Sequence, residues 1–165
     1  MEPIDPEALD WEETDREEAH FRRKRLGPAA GGEAIGTSLY EIPAGGRAWP
    51  FHYHDGNEEA IYVLAGRGRL RTPDGDHSLD PGDYVAFPVG PQGAHRVSNP
   101  GDDPLRYLAI STMDDPDVTV YPDSGKIGVY AGSPPGGTGD RDVDAYFRRA
   151  DAVDYWLDED DGDDP

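Results

Sequence analysis

Cysteine is absent from the 165-residue chain. Disulfides, thiol nucleophiles and iron–sulfur ligation are therefore excluded, and any metal must be held by nitrogen and oxygen. Lysine is scarce too: only Lys24 and Lys126 occur, and 15 Lys and Arg together oppose 35 Asp and Glu, for a net charge of -20. A nucleic-acid-binding face needs the opposite sign. The one basic run, Arg22–Arg25, is short and flanked by acid. Such a charge repels itself until salt screens it, and the Asp-rich, Lys-poor balance favours a halophilic protein over a plainly acidic mesophilic one. No apolar run is long enough to cross a bilayer, and the acidic start MEPIDPEALD lacks the parts of a secretory signal. A cytoplasmic protein without membrane partners is expected.

What the chain does have is turn punctuation. Short apolar stretches are cut by IPAGG, HDGN, TPDGD, DPGD, PVGPQG and NPGDDP. The stretches between them read as strands over 34–42, 48–54, 59–65, 69–72, 84–88, 95–98 and 105–111. Strands at this spacing predict an all-β sandwich or barrel. The length suits one domain, and no internal repeat supports a second barrel. The expected layout is an N-terminal arm over 1–33, a barrel core over 34–112, and a C-terminal extension over 113–165 ending in a frayed acidic tail. Leu9, Trp11 and Phe21 are candidate docking points of the arm. Residues 133–140 read as a flexible loop. Residues 141–159 are read as a helix with Val143, Phe147 and Trp156 on its apolar side.

The chemistry concentrates in two stretches. His52 and His54 are two apart, so in a strand both imidazoles face the same way. Asp55, Gly56 and Asn57 make a turn, and a second strand then brings a carboxylate within reach. His95 arrives from a later strand. Three imidazoles and one carboxylate suit Fe, Mn, Ni, Zn, Co or Cu and leave coordination positions open for water or substrate. Taken alone, the HxH pair is as readily one buried, hydrogen-bonded ring beside one solvated ring.

These stretches resemble the cupin superfamily. Its first motif is matched by Gly46, His52, His54, Glu59 and Gly66 at every spacing. Its second is matched by Gly82, Pro88, Gly90, His95 and Asn99, except that four residues stand between Gly90 and His95 where the family has two. RRKRLG near the start, YPDSGK at 121–126 and DYW at 154–156 are similar to a group of small single-domain prokaryotic cupins. The resemblance implies a double-stranded β-helix, or jelly-roll barrel, with one divalent transition metal on His52, His54, Glu59 and His95. Its spacing selects Glu59 over Glu58 as the carboxylate ligand. Because the two point to opposite faces of one strand, only one of them can face the metal.

The remaining candidates read as structural. Leu70 should point inward and leave Arg67, Arg69 and Arg71 in solvent beside acids, although an anion clamp is the alternative. Arg96 should point away from the site, and His20 and His77 should be solvated. No serine sits in a nucleophile elbow, and no glycine-rich loop cradles a phosphate. The expected function is that of a metalloenzyme acting on a small oxygen-rich substrate, of dioxygenase, isomerase or decarboxylase type. The alternative is a sugar- or carboxylate-binding barrel with a structural metal. The strand over 59–65 is apolar on both faces, which calls for cover from a second sheet, the arm or a partner, and a homodimer is expected.

Overall fold

A computed structural model of the chain describes residues 2–17 and 19–159; the acidic tail expected to fray lies outside the described residues. Among the described residues, thirteen strands run in chain order as β1 (Glu12–Arg16), β2 (Ala19–Arg25), β3 (Ile35–Ile42), β4 (Tyr53–His54), β5 (Glu59–Ala65), β6 (Gly68–Thr72), β7 (Gly75–Leu79), β8 (Tyr84–Phe87), β9 (Arg96–Ser98), β10 (Leu105–Thr112), β11 (Asp117–Tyr121), β12 (Lys126–Ala131) and β13 (Val143–Arg148). One sheet has the order β1-β2-β3-β10-β5-β8, and every pairing in the fold is antiparallel. The strands opposite it form two pieces, β13-β12-β11-β4 and β7-β6-β9. A bridge between His52 and His95 stitches the pieces together, with the amide of each donating to the carbonyl of the other at 3.2 and 2.9 Å. Two antiparallel sheets closed in this way form the expected jelly roll.

The core lies between the sheets. Ile42 and Leu105 are fully buried, Val63 is 1 % exposed, and Phe21, Ile61, Leu70, Leu79, Phe87 and Val97 pack around them. Tyr40 and Tyr107 face each other on paired strands and stack at 5.2 Å. This packing follows the two-residue alternation of the strands. Ile61 and Val63 of β5 fill the core, while Tyr62 and Leu64 on its other face remain 41 % and 44 % exposed. Among the described residues, Ala60 on that face is buried while Tyr62 and Leu64 stay part-open, and the N-terminal strands join the edge of the same sheet beyond β3.

The terminal segments are strands as well. β1 and β2 form a hairpin whose cross-strand contacts are charged, Glu12 with Arg23 and Asp15 with His20. Phe21 docks as expected and meets Trp49 edge-on at 4.7 Å. Trp11 instead lies beneath the cationic ends of Arg22 and Lys24, at 4.5 and 4.6 Å.

The helix expected over 141–159 is not formed. Residues 143–148 are β13, paired along its length with β12, and a short 3-10 turn follows at Arg149–Asp151. Val143 and Phe147 are four apart, and residues four apart share a face in a strand as well as in a helix. The neighbouring Gly128, Tyr130 and Ile127 of β12 settle the choice by offering an open sheet edge. Trp156 lies 68 % exposed, with no apolar face to complete.

Candidate metal centre

The candidate site is carried by β4, β5 and the His52–His95 bridge beside them. β4 is short because Pro50 and the turn at 55–57 leave few residues free to pair, yet Tyr53 and His54 align with β11. His52 and His54 fall on one face of this segment, and β5 presents Glu59 opposite them. The Nε2 atoms of His52, His54 and His95 stand 3.9, 3.5 and 3.4 Å from Glu59 Oε2. His52, His54 and Glu59 form a mutual group within 4.8 Å, and His95 joins it through Glu59. All four expected residues are therefore brought together, and Glu58 is left on the exposed side of the strand.

The longer second motif is accommodated locally. Pro91–Gly93 fold into one 3-10 turn, closed by the Gly93 amide on the Gly90 carbonyl and the Ala94 amide on the Pro91 carbonyl. Gly90 enters this turn at φ 83°, a left-handed conformation that favours glycine. The two additional residues are taken up in the turn, so His95 returns to the site. The ring of Phe87 stacks on that of His95 at 3.8 Å.

The three rings are held in a single orientation. His52 Nδ1 lies 2.7 Å from the Pro50 carbonyl, His95 Nδ1 lies 2.9 Å from the Gly93 carbonyl, and His54 Nδ1 lies 2.5 Å from Asp117 Oδ2. Each acceptor requires a proton on Nδ1, which leaves the Nε2 lone pair facing Glu59. Asp117 is 1 % exposed and also accepts from the Gly56 amide at 3.0 Å. The sequence reading did not identify it, because nothing distinguishes it from the other acids of the DDPD run.

Electrostatics separates the histidines. Burial, helped by the neighbouring His95 and His54, drives His52 well below the ordinary imidazole value. Burial also lowers His95, against the opposing pull of Glu59. In His54 burial acts in the same direction, but the Asp117 hydrogen bond and the charges of Glu59 and Asp117 outweigh it and raise the value. Asp117 is lowered in turn: its burial alone would raise it, and the His54 hydrogen bond prevails.

Glu59 Oε2 is the test of whether a metal fits. It is buried and has no hydrogen-bond partner, although three nitrogens surround it. A buried carboxylate oxygen without a donor is costly, and a cation supplies the missing charge. Ligand atoms about 2.1 Å from a shared ion lie about 3–4 Å apart, which is the spacing seen here. The donor set is nitrogen and oxygen, as Fe, Mn, Ni, Zn, Co or Cu would take. The site opens into a cavity of about 820 Å³ lined by residues that include Arg23, Arg25, Trp49, Tyr121 and Tyr146.

Other sequence expectations are met on the surface. Arg67 pairs with Asp80, Arg69 with Asp76, and Arg71 with both oxygens of Asp123, while Leu70 is 2 % exposed. His20 and His77 are exposed. Among the described residues no helix is long and apolar enough to cross a membrane.

Comparison with known proteins points the same way. A cupin-domain family model matches residues 38–111. A putative sugar phosphate isomerase from Acidithiobacillus ferrooxidans is 30 % identical, with a TM-score of 0.76 over 89 % of this chain and 90 % of that one. A cupin-superfamily sugar phosphate isomerase from Silicibacter pomeroyi superposes with a TM-score of 0.79 over 92 % of this chain and 95 % of that one; its 22 % identity speaks for the fold alone. Glucose-6-phosphate isomerase of Pyrococcus abyssi is 41 % identical over 70 residues, 38 % of this chain. That match spans only 36 % of the archaeal enzyme's length. The paired motifs, the jelly roll and a relative matched over nine-tenths of its length agree: the chain belongs to the cupin superfamily.

Proposed function

We propose that the chain is a metal-dependent isomerase that interconverts the aldose and ketose forms of a small phosphorylated sugar. The observation that carries this reading is the partnerless buried oxygen of Glu59, ringed by three imidazoles at the wall of a substrate-sized cavity. The names of the Acidithiobacillus and Pyrococcus relatives supply the substrate class. A divalent ion on His52, His54, Glu59 and His95 would polarise the carbonyl and adjacent hydroxyl oxygens of an open-chain sugar.

The chain's own residues do the rest. Asp117 and the Pro50 and Gly93 carbonyls hold the imidazoles in register, so that no ring must reorient when substrate arrives. Burial pushes the Tyr121 hydroxyl up to about 12, with the neighbouring Tyr146 adding to the effect. At neutral pH that phenol is a hydrogen-bond donor to a sugar oxygen and not a base.

The test is a coupled isomerase assay with glucose 6-phosphate and other sugar phosphates, on protein loaded in turn with each candidate metal. At least one metal should support turnover, and Glu59→Gln should lower kcat/KM by about 100-fold or more, the scale of losing a group that binds both metal and transition state. Wild type inactive with every metal and every sugar phosphate would overturn the isomerase reading in favour of a ligand-binding barrel.

A further inference from the structure

The basic run on β2 is divided by the alternation of the strand. Arg22 bonds Glu41, which also holds Arg106, and Lys24 donates to the Pro6 carbonyl at 2.8 Å, so both are engaged away from the cavity. Arg23 and Arg25 line the cavity that contains the Glu59 site. In a chain of net charge -20, two guanidiniums placed side by side within one cavity are a local reversal of sign.

Their surroundings hold them without neutralising them. Glu12 accepts from the Nε of both, at 3.1 Å each, so a single carboxylate serves two cations. Arg23 also reaches the Tyr40 hydroxyl at 3.4 Å, and that hydroxyl accepts from Trp49 Nε1 at 3.0 Å. Among the described residues, the terminal nitrogens of Arg25 form no hydrogen bond to a protein acceptor. The third arginine of the wall, Arg141, is occupied by Asp144 and the Ser133 and Pro134 carbonyls. Asp140 is the remaining acid on the wall besides Glu59 and Asp144.

The spacing to the candidate metal follows from the strand register. Arg25 pairs with Ser38, Ser38 with Ala109, and Ala109 with Ile61, two residues from Glu59 on the same face. Three strand spacings and the two-residue offset along β5 put the backbone positions of Arg25 and Glu59 about 16 Å apart. Side chains reaching inward from both ends shorten that gap to the length of a small phosphorylated sugar.

We propose that Arg23 and Arg25 form a phosphate subsite that takes the phosphomonoester end of the substrate while its carbonyl end meets the Glu59 site. The inference rests on the sugar-phosphate reading above. Arginine is suited to the task because its planar fork matches phosphate oxygens and its charge persists at any working pH. The subsite is built by the N-terminal hairpin, outside the residues 38–111 matched by the cupin-domain model.

The test is calorimetric titration of inorganic phosphate into the metal-loaded full chain at fixed ionic strength. Arg25→Gln should weaken phosphate at least about 10-fold, the scale of losing a charge-assisted hydrogen bond, and Arg23→Gln/Arg25→Gln should weaken it further. Arg25→Lys should fall between wild type and Arg25→Gln, and Arg69→Gln, outside the cavity, should leave affinity unchanged. Metal content and melting temperature serve as the check on folding. Affinity unchanged in Arg25→Gln, or wild type that binds no phosphate at millimolar concentration, overturns the subsite. In the isomerase assay, Arg25→Gln should raise KM for a sugar phosphate, and Arg69→Gln should leave it unchanged. Phosphate binding that depends on Arg25 in a protein without isomerase turnover keeps the subsite and rejects the isomerase; turnover and phosphate binding that both ignore Arg25 do the reverse.

Discussion

Asp117→Asn is expected to weaken divalent-metal binding by about 10–100-fold, the usual effect of losing the carboxylate behind a ligating histidine. His54 is the only one of the three rings backed by a charge; His52 and His95 rest on carbonyls. Removing that charge makes Nε2 a poorer donor and releases the ring from its single tautomer. The pH dependence should change as well. A metal binds neutral imidazole, so protons compete with it. In wild type the proton on His54 is held above the ordinary value of 6.5, so affinity should already fall as pH drops through that raised value. In Asp117→Asn the largest raising influence is gone while Glu59 and Asp55 still act, and competition should set in at lower pH than in wild type, on a weaker baseline. A competitive chelator titration across this range checks both statements. Equal affinities and superimposable pH curves would mean that Asp117 only supports the fold.

Leu105→Ala is expected to destabilise the chain by about 2–5 kcal/mol, the cost of a cavity in a core that cannot collapse around it. Leu105 is fully buried at the start of β10, opposite Ile42, which is also fully buried. The backbones around it are already close: a Cβ on Gly66 would lie 2.9 Å from the Leu105 Cα, and Gly66 holds φ at +76°. β10 is also the inner strand between β3 and β5, so a void there loosens the strand that carries Glu59. Tyr155→Ala, at an 82 % exposed aromatic, should change stability by no more than about 0.5 kcal/mol. Urea unfolding of both variants checks the contrast. A loss below about 1 kcal/mol at Leu105 would contradict the assigned core.

The candidate site was legible where chemistry and strand periodicity coincide. His52 and His54 share a face because of a two-residue spacing; the same rule lets only one of Glu58 and Glu59 face the site, and the cupin motif spacing selected Glu59. The inward pair Ile61 and Val63 follows from it too. Asp117 was not legible, since its role depends on β11 lying beside β4, and no local pattern records that pairing. The N-terminal hairpin was missed for another reason: β1 is held to β2 by opposite charges and not by an apolar face, so its sequence resembles a solvated arm. At 143–148 the apolar pattern fits two periods equally well, and only the free edge of β12 decides between them. The cavity-facing role of Arg23 and Arg25 needed both strands of that hairpin in place.

Metal stoichiometry is the most direct test of the central claim. Elemental analysis of the full chain, purified without a polyhistidine tag, should find about one divalent metal per chain in wild type and in Glu58→Ala. His54→Ala should hold less, because three remaining ligands retain some affinity, and His52→Ala/His95→Ala should hold almost none. Full occupancy in that double variant, or loss of metal in Glu58→Ala with retention in Glu59→Ala, would contradict the account.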